Sequence, residues 1–312
     1  MSLQIETELL SKRYRKNVAL SDVSFSVPAG AVYALVGANG AGKSTLIKLL
    51  MNIFPASSGE GIVLGTSLPK IGGKIFESIG YVSENQEMPE SMTVGAFLDY
   101  VRPFYPRWDR HLETQLVHQF DLPLKRKLKD LSRGMKMKAV LASVLAYRPA
   151  LIVLDEPFSG LDPLVRDEFI ESLLARAAET TIFLSSHDLS EIESFATHVG
   201  YLEGGRLLFS EEMATLTARF REVEVTLAEA MTDSAAALLA SSVPATWLQT
   251  QVTGRVARFV DSQFSAESEQ VVAARFPDAV GISVAPMSLR SIFLTIAKAG
   301  RASVRTSAGA VA

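Results

Sequence analysis

Apolar residues follow two rhythms along the first two thirds of the chain. Short unbroken runs, VYALVG (32–37), LIVLD (151–155) and TIFLSS (181–186), end in glycine, aspartate or serine and read as strands buried on both faces. Stripes at helical spacing lie between them. Leu46, Leu49, Leu50 and Ile53 recur at i, i+3, i+4 and i+7 before Pro55. Met137, Val140, Leu141, Val144 and Leu145 form a second stripe, and a third helix is expected over 165–178. Strands alternating with helices predict an α/β fold with a largely parallel sheet.

The pattern changes near Ala214. From there the chain reads as a strand over 222–227, an alanine-rich helix over 228–240 and two strands flanking Thr253 and Gly254. A helix over 266–276, a strand over 280–285 and a last helix over 289–298 follow. This β-α-β-β-α-β order predicts a small ferredoxin-like α+β domain. Small and polar residues from 301 to 312 are expected to form a disordered tail. The expected division is 1–213, 214–300 and 301–312.

Composition narrows the classes. The chain of 312 residues is 48% hydrophobic and 21% charged, which suits a globular protein with a sizeable core. A net charge of −3 leaves no basic footprint, so nucleic acid is not expected as a partner. With no cysteine, disulfides and thiolate metal sites are excluded. No signal peptide is apparent, and the longest apolar helical run, 139–147, falls far short of about 20 residues. Any membrane role is therefore expected to pass through a separate partner.

The chemistry starts at GANGAGKST, comprising Gly37, Ala38, Asn39, Gly40, Ala41, Gly42, Lys43, Ser44 and Thr45. It contains G-x-x-x-x-G-K-S between an expected strand and an expected helix, which predicts a P-loop NTPase. The glycines let the backbone wrap a phosphate, and N–H groups over 40–45 form an anion nest at a helix N-terminus. Lys43 would reach the β- and γ-phosphates, and Ser44 would ligate Mg²⁺. In LIVLDEP, Asp155 ends a buried strand where a second Mg²⁺ contact belongs. Glu156, the next residue, is the candidate general base. ATP and Mg²⁺ are the expected ligands.

Further stretches carry a resemblance. LSRGM (131–135) is similar to the signature LSGGQ, and SGLD (159–162) resembles the D-loop. His187 in LSSHDLSEIE resembles a switch histidine, and Tyr14 in KRYRKNVALSDVSFSV matches an aromatic position that stacks on adenine. IGYVSEN (79–85) lies where a Q-loop is found. Over residues 1 to about 212 the chain resembles an ATP-binding-cassette (ABC) ATPase with its helical subdomain, the nucleotide-binding subunit of an ABC transporter. The resemblance implies two cassettes packed head to tail, with Ser132 and Gly134 of one facing the γ-phosphate on the other and Asp162 in the D-loop. The second cassette would be an identical or a related chain. Taken alone, LSRGM would equally be a helix start with Ser132 as its cap. Likewise, Tyr14 alone would be a core-packed strand residue and His187 a structural one.

Departures from the family pattern are Arg133 for glycine, Met135 for glutamine, and Glu84 and Ser83 in the Q-loop. Glu84 would be a Mg²⁺ ligand, with Gln86 as the alternative Q-loop residue. The segment 84–100, with Met88, Met92 and Phe97, is the expected surface for a multi-span membrane subunit. SLRSIFLTIAK (288–298) resembles the closing segment of ABC-2-type exporter ATPases, and GYVSEN with LSRGM resembles the YtrB-like branch. These resemblances imply an exporter ATPase, cytoplasmic and peripheral on the inner membrane face. A soluble ABC ATPase with an assembly or regulatory role is the alternative. A single cassette without a long coiled-coil insertion or basic tail weighs against it.

Overall fold

In the computed structural model, which describes residues 2–84, 86–232, 234, 239 and 242–308 and side chains to residue 299, the chain opens with a long antiparallel hairpin. Strands β1 (Leu3–Tyr14) and β2 (Asn17–Pro28) pair through Tyr14 and Asn17 at the turn. After β3 (Val32–Val36) and α1 (Lys43–Leu50), β4 (Ser58–Val63) and β5 (Thr66–Ser67) extend the hairpin into a sheet of order β2-β1-β4-β5. The helix α1 buries Leu46, Ile47, Leu49 and Leu50 in a core shared by both sheets of this unit. Each such side chain contributes about 1.5–3 kcal/mol.

The apolar stripe ran on to Ile53, but α1 stops at Leu50. Asn52 takes a left-handed φ of 50°, its N–H bonds Leu49 O and the Ile53 N–H bonds Lys48 O. This is a Schellman closure, and it leaves Ile53 half exposed.

The central sheet has the order β10-β9-β3-β8-β7-β6. It comprises β3, β6 (Ile79–Val82), β7 (Leu151–Asp155), β8 (Thr181–Ser186), β9 (His198–Glu203) and β10 (Arg206–Glu212). Pairings β6–β7, β7–β8, β8–β3 and β3–β9 are all parallel, and every residue of β3, β7 and β8 is buried. That burial explains why these strands lack polar alternation. Tyr33, Phe183 and Phe25 stack in the core beneath them.

A helical segment interrupts β6 and β7. It comprises α2 (Val94–Val101), α3 (Arg110–Gln119) and α4 (Arg133–Leu145), with α2 and α3 both packed on α4. Thr93, Asp109 and Ser132 cap the three helices by accepting from main-chain N–H groups. Helix α5 (Pro163–Leu174) follows, ending earlier than the expected residue 178.

The chain divides into two units, Met1–Ser210 and Glu211–Ala312, three residues before the boundary expected at 213/214. The second unit contains α6 (Met213–Arg219), β11 (Arg221–Leu227), β12 (Trp247–Thr253), β13 (Val256–Asp261), α7 (Ser268–Arg275), β14 (Ala279–Pro286) and α8 (Leu289–Ala308). Its antiparallel sheet runs β12-β13-β11-β14, so its own strands stand in the order 2-3-1-4, the strand order expected for a ferredoxin-like arrangement. Trp247, Phe259 and Phe276 stack in its core. Of the helix expected over 228–240, residues 228–232 are not helical, because the chain there is still leaving β11, and residues 233, 235–238 and 240 lie outside the described ones. Helix α8 runs past Lys298 to Ala308, through much of the segment expected as a tail. No proline interrupts it there, and alanine and arginine favour helix.

Candidate functional site

The loop after β3 is shaped by glycines where no other residue fits. Gly40 and Gly42 have φ of 80° and 112°. A Cβ on Gly42 would lie 2.8 Å from Ala19 O, and one on Gly37 would lie 2.3 Å from Leu202 O. Helix α1 then opens with no side-chain cap, and its first interior bond is Leu46 N to Gly42 O. The N–H groups of Lys43, Ser44 and Thr45 therefore form an anion-binding end. Beside them Lys43 Nζ donates to Gly37 O at 2.7 Å and pairs with Glu156 Oε1 at 2.9 Å.

Strand β7 carries the acidic pair. Asp155 Oδ1 accepts from Ser44 Oγ at 3.1 Å and Ser185 Oγ at 2.7 Å. Glu156 sits at φ 50°, an uncommon conformation for a residue with a side chain, held by its N–H donating to Ser185 Oγ at 2.9 Å. At the end of β8, His187 Nδ1 meets Glu156 Oε2 at 2.8 Å. That bond is the main cause that raises the imidazole pKa above its ordinary value. Ser186 donates to Glu191 at 2.6 Å, and burial raises the pKa of Glu191. Strands β3, β8 and β7 are neighbours and parallel, so their C-terminal ends bring these groups together.

A cavity of about 630 Å³ runs from Tyr14 to Glu156 and includes Asn39, Lys43, Ser44 and Glu84. Tyr14 is partly exposed there rather than packed in the core, with its ring edge-on to Phe54 at 6.1 Å. Behind it Lys12 Nζ lies 5.1 Å from the ring centroid and donates to Pro55 O at 2.6 Å. Glu84 faces this cavity and accepts from Ser159 Oγ at 3.1 Å. Gln86 turns elsewhere, into a groove of about 410 Å³ that Phe97, Tyr105 and Tyr147 also line. Of the expected docking residues Phe97 lines that groove, whereas Met88 and Met92 do not.

Ser132, Gly134 and Asp162 do not line this cavity. Ser132 Oγ accepts from Met135 N at 3.2 Å and Asp162 Oδ1 from Val165 N at 3.0 Å, so both cap helices. Gly134 is packed so closely that a Cβ would meet Val165 Cγ1 at 3.1 Å. Lys12, Phe54 and Ser185 were not singled out from the sequence. Ser185, in the run SSH after an apolar strand, is the one with a readable signal.

A family model described as ABC transporter matches residues 20–159. The ABC transporter ATP-binding protein YtrB of Bacillus subtilis (strain 168) is 31% identical over 223 residues, covering 71% of this chain and 76% of that protein. The chain belongs to the ATP-binding subunits of ABC transporters. The Nod factor export ATP-binding protein I of Neorhizobium galegae is 33% identical over 215 residues, covering 66% of this chain and 61% of that protein. A solved structure described as the ATP-binding subunit of an ABC transporter superposes with a TM-score of 0.64 at 29% identity, covering 70% of this chain and 92% of that one. As an ABC ATP-binding subunit the protein binds and hydrolyses ATP. Among the described residues no helix is long and apolar enough to cross a membrane.

The donor set of this ABC subunit fits Mg²⁺. The Ser44 hydroxyl and Asp155 carboxylate stand side by side, and Mg²⁺ takes few protein oxygens, completing its shell with water and phosphate. No cluster of three or more histidine, cysteine or acidic side chains suited to a metal occurs among the described residues.

Proposed function

We propose that this chain drives export by closing head to tail on a second ABC ATPase subunit around ATP, while docked on a separate multi-span membrane protein at the cytoplasmic face. The observation that carries the catalytic part is the convergence of Lys43, Asp155, Glu156 and His187 at three adjacent strand ends. Tyr14 would stack on adenine, and the N–H groups of the phosphate loop with Lys43 would hold the phosphates. Ser44, Asp155 and Glu84 would hold Mg²⁺, which would offset the charge of the phosphate oxygens. Glu156 would accept the proton of the attacking water, and His187, fixed through Nδ1, would orient that water and the γ-phosphate. Ser132 and Gly134 would face the nucleotide of the second subunit.

Differential affinity of ATP for the closed dimer supplies the work, and hydrolysis releases it. The groove beside Gln86 and Phe97 is suited to receive the membrane subunit. The export direction draws on the name of the Nod factor relative and on SLRSIFLTIAK. The accessory unit would serve as a dimer-stabilising or regulatory module without a ligand of its own.

Affinity isolation of Glu156→Gln from detergent-solubilised cells, with ATP present, tests the reading. A stoichiometric multi-span membrane protein is expected. Recovery only as a soluble dimer, or with a soluble assembly, would overturn it.

A further inference from the structure

Arg133 stands where the family signature has glycine, and the structure gives it a neighbour. A Cβ built on Gly160 would lie 3.2 Å from Arg133 Nη1, 3.4 Å from Cζ and 3.6 Å from Nε. Three guanidinium atoms at nearly equal distance mean that the plane is laid flat on the glycine. Gly160 itself is left-handed, with φ 68°. Arg133 and Gly160 are both exposed, and among the described residues the guanidinium makes no hydrogen bond or ion pair besides this packing.

Gly160 is the far end of a short clamped segment that begins at Glu156. The Glu156 N–H is held by Ser185, and Ser159 N bonds back to Glu156 O at 3.2 Å. Phe158 is buried edge-on between Phe169 and Phe195, and Leu161 N bonds Phe158 O at 3.1 Å. From the same segment Ser159 donates to Glu84. The backbone leaves Glu156 at φ 50° and returns through Gly160 at φ 68°, two left-handed residues in one tight turn. Helix α4, which carries Arg133, is fixed on α5 beyond that turn. Gly134 packs on Val165, and Lys138 pairs with Glu168.

We infer that Arg133 is a positioning residue for hydrolysis, seating the 156–162 turn so that Glu156 and Glu84 keep their places when the signature segment is engaged. Resting on the reading of Glu156 as the base, this assigns the departure from glycine a catalytic consequence without a contact to nucleotide. Removing the guanidinium frees one end of the turn while leaving Lys43, the phosphate loop and Tyr14 untouched. Binding should therefore survive and turnover should not.

The test is steady-state ATP hydrolysis by the full chain as Arg133→Ala, Arg133→Lys and Gly160→Ala, with the Arg133→Ala/Gly160→Ala double variant and melting curves for each. Arg133→Ala should lose about tenfold to a hundredfold in kcat, as a small misplacement of a reacting group does, with KM within about twofold and melting unchanged. Arg133→Lys should recover only part, because an ammonium has no plane to lay on glycine. A Cβ at Gly160 displaces the same guanidinium, so the double variant should lose less than the two single losses combined. Unchanged kcat in Arg133→Ala, a matching rise in KM, a fall in melting temperature that accounts for the loss, or full additivity would overturn the inference. Glu156→Gln separates the two claims. If it leaves turnover intact, the base assignment has failed, and if it abolishes turnover while Arg133→Ala is silent, only this inference has.

Discussion

Lys43 Nζ lies 2.9 Å from Glu156 Oε1, and both side chains are buried. On the proposed roles, the ammonium that would hold phosphate is shared with the carboxylate that would take a proton from water. Phosphate oxygens would then compete with Glu156 for the lysine, and nucleotide entry would free the carboxylate toward the water.

Replacing Glu156 by glutamine should therefore act in two directions. Turnover should fall by about 10²–10⁴-fold, the range for losing a general base. Without nucleotide the variant should melt lower, because a buried lysine has lost its counter-charge, a loss of about 3–5 kcal/mol when a buried pair is broken. With ATP present its melting temperature should rise further than that of the parent, since no carboxylate now competes for Lys43. Calorimetry with and without ATP checks both signs.

Ser185 links the acidic pair, donating to Asp155 and accepting from the Glu156 N–H. Ser185→Ala leaves a buried carboxylate and a buried main-chain donor each short of a partner, at about 1–3 kcal/mol per group. The expected result is a lower denaturation midpoint and an increased Mg²⁺ requirement for hydrolysis, read from urea melts and a Mg²⁺ titration of the rate. Ser185→Thr keeps the hydroxyl and should restore the Mg²⁺ dependence ahead of the stability.

Tyr14 presents a partly exposed ring to the cavity, with Lys12 and Phe54 fixing it from behind. Tyr14→Ala should weaken ATP binding by about 1–3 kcal/mol, the worth of stacking one base on an aromatic ring. Its kcat should hold, and Tyr14→Trp should bind as well as the parent. Equilibrium binding with ATP and inorganic triphosphate discriminates, because only ATP should feel the change.

The His187 imidazole is held above its ordinary pKa by its bond to Glu156. A raised folded-state value means that the pair's contribution to stability is complete below the unfolded pKa and fades as pH rises through the folded value. The melting-temperature gap between parent and His187→Ala should accordingly narrow with increasing pH across that window. Imidazole chemical shifts should titrate later than in a free histidine, and Glu156→Gln should move them back toward it.

Residues whose geometry is set by their own neighbours could be read from the chain. The phosphate loop, LIVLDEP and the buried strands needed only local glycines, apolar runs and one acidic terminus. Contacts between segments far apart in sequence left no such trace. Nothing near Tyr14 announces Lys12 and Phe54 behind its ring, and nothing in LSRGM shows that its arginine rests on Gly160. The helix stripe through Ile53 misled for a related reason. Apolar spacing cannot see that Asn52 turns left-handed and closes α1 at Leu50.

The parallel strands β7, β8 and β3 lie side by side, at the ~4.8 Å spacing that main-chain hydrogen bonding imposes. Acid, histidine and phosphate loop are mounted on that ruler, so the dimensions of the reaction centre are a property of the peptide backbone. Helix faces turned away from those strand ends are free to change their side chains for new partners without altering that spacing.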